Sequence, residues 1–362
     1  MTTVERHLHF TGSLPVDLMV DAIRRAGKTT ASHNQIDCLL SRRTSTLKQA
    51  LRDVPPHLAA LNSLQAYRKF FLLYRTIQGG TKSRDLGHIR WLYRSGGREQ
   101  AKVDGLQQEL TRLYTIGAAQ TVPGMSARVG SFIEGYDSEA GKQPRVRLSF
   151  NRLAAHSLQG RGRLHACLRK LASAKPSWLS ALRGFDISGP EAPKSAASVL
   201  PLIDLLQPYL KQLSEVSGHE LDLSVHFGEN CFDWTICEYE DLLEGLLSRR
   251  ISGIGHGTFL WVPEEDLWKT TDTTGLRNSE NKRLELLRRL PEAGIELEVC
   301  PSSSLVLSPL SDARAIPTTC FEEVGLKWSI NTDNPSFFDT SLSEELALLG
   351  IGPKSYRPES HA

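Results

Sequence analysis

His7-Leu8-His9 places two imidazoles two residues apart near the start of the chain. On a strand, side chains at i and i+2 share a face, and neutral imidazoles side by side suit a borderline cation such as zinc. Taken alone, the pair is equally an accidental or structural one. Three later stretches also close an apolar run with polar groups: His226-Phe227-Gly228-Glu229, Gly255-His256-Gly257 and Asn331-Thr332-Asp333-Asn334. A lone buried histidine is ordinarily a satisfied core residue. These groups become a constellation only if the strand ends that carry them meet. They could then share one borderline cation.

The succession of elements predicts where those ends meet. Short runs rich in Val, Ile, Leu and Phe are read as covered parallel strands at Val4–Phe10, Arg128–Glu134, Arg145–Asn151, Leu182–Ser188, Leu221–Phe227, Ile251–Gly255, Ile295–Cys300 and Leu326–Asn331. The stretches between them carry helical spacing, such as Leu242-Leu243-x-x-Leu246-Leu247. Eight strands alternating with helices are the pattern of a (β/α)8 TIM barrel, whose active site lies at the C-terminal ends of its strands. Roughly 115 residues separate the first two strands, far more than an ordinary connection. Helical spacing at Val16–Gly27, Thr46–Val54, Ser63–Ile77 and Arg98–Ile116 predicts a helical insertion over residues 14–126, either a lid or a cap with no catalytic part. Residues 353–362 read as a flexible tail. The expected organisation is a single barrel domain over 1–362.

Composition narrows the class. In 362 residues, 43 Lys and Arg against 41 Asp and Glu leave a net charge of +2, which argues against nucleic acid or an anionic membrane as partner. There is no apolar run long enough to span a membrane and no apolar signal region at the N-terminus. Six scattered cysteines without a C-x-x-C pair suggest reduced thiols and a cytoplasmic protein. Neither Cys231 with Cys237 nor Cys300-Pro301 has the spacing of the H-x-E and P-C-x-x-C zinc deaminases. The basic stretch Arg161–Lys175 reads as a solvated helix face or a phosphate contact. Arg90, Trp91, Arg94 and Arg98 could meet an anionic substrate tail or line the surface.

Taken in order, the motifs resemble those of the adenosine deaminase family. They are His7-Leu8-His9-Phe10-Thr11-Gly12-Ser13, Asp186-Ile187-Ser188-Gly189, His226-Phe227-Gly228-Glu229, Ile254-Gly255-His256-Gly257, the run Leu297–Ser303 and the run Ser329–Pro335. The resemblance implies a distorted (β/α)8 barrel with one catalytic Zn2+ per chain. It implies His7, His9 and His226 as metal ligands, and Asp333 as a carboxylate ligand that also orients the attacking water. His256 would assist deprotonation of that water, and Glu229 would protonate the ring nitrogen beside the carbon under attack. Gly189 would offer its backbone amide to a purine, or is an ordinary turn glycine. Tyr67 and Phe71, four apart, would form an apolar lid over the base, or pack a core.

Two positions depart from the family. Thr11 stands where an aspartate contacts the sugar, and Asn334 stands where a second aspartate faces the imidazole ring of adenine. The expectation is zinc-dependent hydrolytic deamination of an adenine-type nucleoside, nucleobase or modified analogue. Hydroxide would attack the amino-bearing ring carbon and ammonia would leave, with specificity shifted away from plain adenosine. An amidohydrolase acting on a non-purine aminoheterocycle or an N-substituted adenine is the alternative, and a non-catalytic nucleoside-binding relative is another. The expected partner is a small aminopurine-like molecule, with no nucleic acid and no membrane, in a monomer or homodimer.

Overall fold

Eight parallel strands follow one another in sequence order around a single sheet. The computed structural model describes residues 4–25, 85–104, 109–116, 121–152, 157–191, 193–231, 236–262 and 279–352. The strands are β1 Val4–Glu5, β2 Glu109–Ile116, β3 Arg145–Asn151, β4 Leu182–Ser188, β5 Asp222–Phe227, β6 Gly253–His256, β7 Glu296–Val299 and β8 Trp328–Ile330. Helices alternate with them, including α1 Val16–Arg25, α2 Leu86–Asp104, α3 Val122–Ala140 and α4 Leu158–Ala174. The sheet closes on itself into a (β/α)8 barrel. Leu8 bridges to Asp333 in parallel, with His9 N donating to Asp333 O at 2.8 Å and Asp333 N to His7 O at 3.0 Å.

The strands have two faces because side chains alternate along them. Val146, Leu148, Phe150, Phe185, Ile187, Leu223, Val225, Phe227, Ile254, Leu297 and Val299 join helix residues such as Leu164, Leu168, Ile203 and Leu206 in one buried apolar core. The intervening residues are polar and meet one another across the barrel. Ser149 Oγ donates to Asp186 Oδ2 at 2.5 Å, Ser224 Oγ to Asp186 Oδ1 at 3.0 Å, and Arg147 Nε to Asp222 Oδ1 at 3.0 Å. The seam between β1 and β8 is held by the Asn331 amide. Its Oδ1 accepts from the N–H groups of Arg6 and His7 at 2.6 and 2.9 Å, and its Nδ2 donates to Ser329 O at 3.0 Å. Regular pairing of β1 with β2 stops at Glu5, whereas the sequence suggests a strand running to Phe10.

The second strand is not where the sequence suggests. Arg128–Glu134 lies inside α3, and β2 is Glu109–Ile116, within a stretch whose spacing predicts helix. The buried residues Val129, Phe132, Ile133 and Tyr136 recur at three- and four-residue intervals, which is a helical stripe that a seven-residue window hides. Thr121 caps this helix by accepting from Gly124 N, and Gly141 ends it at φ 65°. In Glu109–Ile116, Leu110 and Leu113 mimic helical spacing, but Thr111, Tyr114, Thr115 and Ile116 favour a strand. The backbone pairs in register from Thr111 with Arg145 to Ile116 with Phe150. The join between β1 and β2 therefore ends by residue 108, not 126.

Within that join, α2 packs on α3 with the backbones in contact. A Cβ on Gly97 would stand 2.3 Å from Phe132 O, and one on Gly135 would stand 2.1 Å from Arg94 O. The helices expected at Thr46–Val54 and Ser63–Ile77, with Tyr67 and Phe71, and the tail 353–362 lie outside the described residues. Arg163, Arg169 and Lys170 of α4 and Arg90, Arg94 and Arg98 of α2 are exposed. Among the described residues, no helix is long and apolar enough to cross a membrane.

Candidate functional site

His7 and His9 leave the end of β1, His226 stands near the end of β5, His256 ends β6, and Asp333 lies just past β8. The barrel brings these side chains together, all buried. His9 Nε2 lies 3.0 Å from His226 Nε2, and Asp333 Oδ1 lies 3.4 Å from His9 Nε2 and 3.6 Å from His7 Nε2. The His7 ring centroid is 4.4 Å from that of His226 and 4.7 Å from that of His256. One ligand atom from each of His7, His9 and His226 fits within a 4.8 Å group, as does one from each of His7, His256 and Asp333. Tetrahedral zinc with bonds of ~2.0–2.1 Å separates its ligand atoms by about 3.3 Å. The donor set and its spacing fit such a cation. So do His7 Nε2 and Asp333 Oδ2, which are buried without a hydrogen-bond partner.

The backbone is bent to achieve this. His256 and Asp333 sit at φ 66° and 57°, a left-handed conformation that costs a non-glycine residue of order 1–3 kcal/mol and clusters at functional sites. Gly255 pairs with His226 across β5 and β6, and a Cβ there would stand 2.6 Å from His7 Cε1. The His7 ring therefore lies directly against the β6 backbone.

Each imidazole is oriented from behind. His7 Nδ1 donates to Glu298 Oε2 at 3.0 Å, which leaves the Nε2 lone pair facing the cluster. Glu298 in turn pairs with Arg147, whose Nη2 also donates to Asp222 Oδ2 at 2.6 Å. His226 Nδ1 donates to Asp186 Oδ1 at 3.1 Å. Glu298 and Asp186 lie inside motifs quoted from the sequence, yet sequence reasoning assigns them no role, and Arg147 and the seam residue Asn331 also escape it. The available signal was charge in the middle of covered strands.

Burial and charge set the protonation states. Burial lowers His7, but the Asp333 and Glu298 carboxylates overcome it and push it up to about 10. A divalent cation on these atoms takes that proton's place. Burial pushes His9 down to about 3 and His256 well below its ordinary value, so both are neutral. Asp333 is lowered: burial would raise it, but the protonated His7 beside it outweighs that effect. Glu298 is held at about 2 because Arg147 and His7 outweigh its burial. Glu229 goes the other way. Burial, then Asp333 and Glu191, push its carboxyl well above the usual range, and its Oε1 lies 3.9 Å from His256 Nε2.

The remaining expected residues line the rim. Gly189 follows β4 at φ 106°, with the Asn151 amide against it. Thr11 is buried in the short 3-10 turn Thr11–Ser13 after His9. The next residue, Gly12, is pressed so closely on Asn334 that a Cβ would fall 1.9 Å from its Oδ1. Asn334 Nδ2 donates to Asp333 Oδ1 at 2.6 Å, and its Oδ1 is buried without a hydrogen-bond partner.

Comparison with known proteins bears on this geometry. The family model described as adenosine deaminase matches residues 155–350, more than half of the chain. An adenine deaminase of Rhizobium etli is 29% identical over 167 residues, covering 46% of this chain and 41% of that protein. The chain thus spans about two fifths of the length of that curated relative. Among solved structures, an adenine deaminase from Arthrobacter aurescens superposes with a TM-score of 0.63 at 15% identity, over 98% of this chain and 90% of that one. An amidohydrolase from Burkholderia ambifaria with bound Zn gives a TM-score of 0.61 at 15% identity, over 97% and 80%.

Proposed function

The chain belongs to the adenosine deaminase family, and from that premise we propose that it hydrolyses an adenine-type nucleobase, nucleoside or close analogue, releasing the amino group as ammonia. The observation that carries this reading is a buried carboxyl, Glu229, whose pKa is pushed well above the usual range, beside a cluster of three histidines and an aspartate spaced for a cation. A module that only bound nucleosides would need neither. His7, His9, His226 and Asp333 would hold one Zn2+ per chain. When bound, zinc lowers the pKa of water so that hydroxide is available near neutrality.

The chain's own residues do the rest. Asp333 Oδ2 orients the attacking water, and neutral His256 accepts its proton. Glu229 gives its proton to the ring nitrogen beside the amino-bearing carbon, because an amidine-like carbon is a poor electrophile until that nitrogen is protonated. Hydroxide adds to the carbon, the amino group takes the proton held by His256 and leaves as ammonia, and the new hydroxyl becomes a carbonyl as a proton returns to Glu229. Gly189 offers its backbone to the ring.

Thr11 and Asn334 shift the specificity. The Asn334 amide is turned by its bond to Asp333, so it presents a carbonyl oxygen, which accepts from a ring N–H. Thr11 offers a short neutral hydroxyl where a carboxylate would grip a sugar. Plain adenosine is therefore a weak substrate, and a free base or a modified heterocycle bearing a ring N–H is a better one. The scattered cysteines, without a C-x-x-C pair, support a cytoplasmic enzyme.

An ammonia-release screen over adenine, adenosine, deoxyadenosine, their monophosphates, and ring-modified and N-substituted analogues tests the reading. Turnover of a base or modified analogue well above that of adenosine is expected. Turnover of adenosine above all others would overturn the specificity, and release from none of them would overturn the reaction.

A further inference from the structure

Glu229 stands just beyond the end of β5, where the ladder no longer holds the chain, and it follows Gly228 at φ 73°. The turn that carries it is instead gripped from the neighbouring strands. Glu191, three residues past β4, places one carboxylate oxygen on each side of Glu229. Its Oε1 accepts from Gly228 N at 2.9 Å and its Oε2 from Asn230 N at 2.9 Å. Asn230 Nδ2 returns the contact by donating to Glu191 O at 2.5 Å. Arg152, one residue past β3, lies 3.5 Å from Glu191 Oε1, and through its other terminal nitrogen it donates to His226 O at 3.0 Å. Both side chains are fully buried, at 0% exposure. Burying such a pair is expensive, and Arg152 Nη1 answers Glu191 as an ion pair without a hydrogen bond.

We propose that Glu191 and Arg152 form a clamp that positions Glu229 for proton donation, and are thus positioning residues for the reaction. The inference rests on the reading of Glu229 as the acid. A carboxylate that accepts from the amides before and after one residue fixes that residue's backbone from both sides. Arg152 then ties this carboxylate to the carbonyl of His226, so the spacing between the acid and the histidine cluster is set by one rigid unit. Glu191 and Arg152 reach the site from β4 and β3, which is why the spacing of His226 and Glu229 alone does not reveal them. Misplacing a catalytic group by about 1 Å costs roughly a hundredfold in rate, so a clamp of this kind has a measurable effect.

Glu191→Gln tests it. A carboxamide accepts at one end only and turns its NH2 toward the other amide, so one side of the grip is lost. With zinc restored, kcat should fall roughly 10–100-fold, while KM stays within about threefold and zinc content is unchanged. Amide exchange at Gly228 and Asn230 should rise about tenfold or more, with exchange in β3 unaffected. Arg152→Lys keeps the charge beside Glu191 and should lie between the wild type and Glu191→Gln in both readouts. It also serves as the test should Glu191→Gln fail to fold. Unchanged exchange, or unchanged kcat in folded, zinc-loaded variants, would overturn the clamp. If the wild type itself releases no ammonia, the reading of Glu229 fails, and the exchange data still decide whether the clamp exists.

Discussion

Low in the barrel interior, Arg147 meets Asp222 and Glu298, and Arg6 meets Glu296 at 2.7 Å. At the mouth, His7 Nε2, both ring nitrogens of His256 and Asp333 Oδ2 are buried and have no hydrogen-bond partner. The lower layer behaves as a structural network, in which each named charge is answered by another. The mouth concentrates unanswered polar atoms and the left-handed residues His256 and Asp333. Buried polar groups are normally satisfied, so the contrast marks where the molecule is shaped for something other than its own stability. Glu298 belongs to both layers, with one oxygen toward Arg147 and the other on His7.

The contrast breaks if mouth variants unfold the protein or lower-layer variants leave it untouched. The largest effect is expected for Glu229→Gln, which should lower kcat by about 10³-fold or more without loss of stability. The sign follows from linkage. The folded-state pKa of Glu229 is raised above its ordinary 4.5, so its contribution to stability is fully present below that value and is lost as pH rises through the folded-state pKa. A neutral amide escapes this loss, so thermal unfolding at pH 8 should show a Tm equal to or above that of the wild type. Arg147→Met should do the reverse, costing about 3–5 kcal/mol in urea unfolding because the buried Glu298 and the part-exposed Asp222 lose their partner. Between these extremes, Glu298→Gln should weaken zinc binding roughly 10–100-fold in chelator competition, with a smaller loss of stability than Arg147→Met. Smallest is Asn334→Ala, for which loss of one hydrogen bond to substrate predicts a fall of about tenfold in kcat/KM at unchanged zinc content. An unchanged kcat/KM would remove Asn334 from recognition.

The same two layers explain what the sequence reveals. From β3 onward most strands alternate, as in Val146-Arg147-Leu148-Ser149-Phe150-Asn151, with β4 broken by a register shift, and the helices between are strongly patterned, so the barrel is legible. The cluster residues stand out only together, because four strand ends of one barrel carry histidine or aspartate to the same face. Glu298, Asp186 and Arg147 do not stand out. A charged residue within a strand reads as solvent-facing until the barrel interior is seen to be polar. Glu191 and Arg152 are hidden for a different reason, since their effect depends on a backbone turn supplied by another strand. The second strand was concealed by competing periodicities. Leu110 and Leu113 fit a helix, while the stripe through Val129, Phe132, Ile133 and Tyr136 is visible only over a window longer than a strand.

The central claim is that the mouth holds one zinc ion and that the chemistry depends on it. Zinc content and ammonia release can be measured together as metal is added back to chelator-treated protein, with the best substrate of the screen. Activity should rise in proportion to bound zinc and stop rising at one equivalent per chain. Full activity in the metal-free protein, or zinc that binds stoichiometrically without restoring ammonia release, would contradict the account.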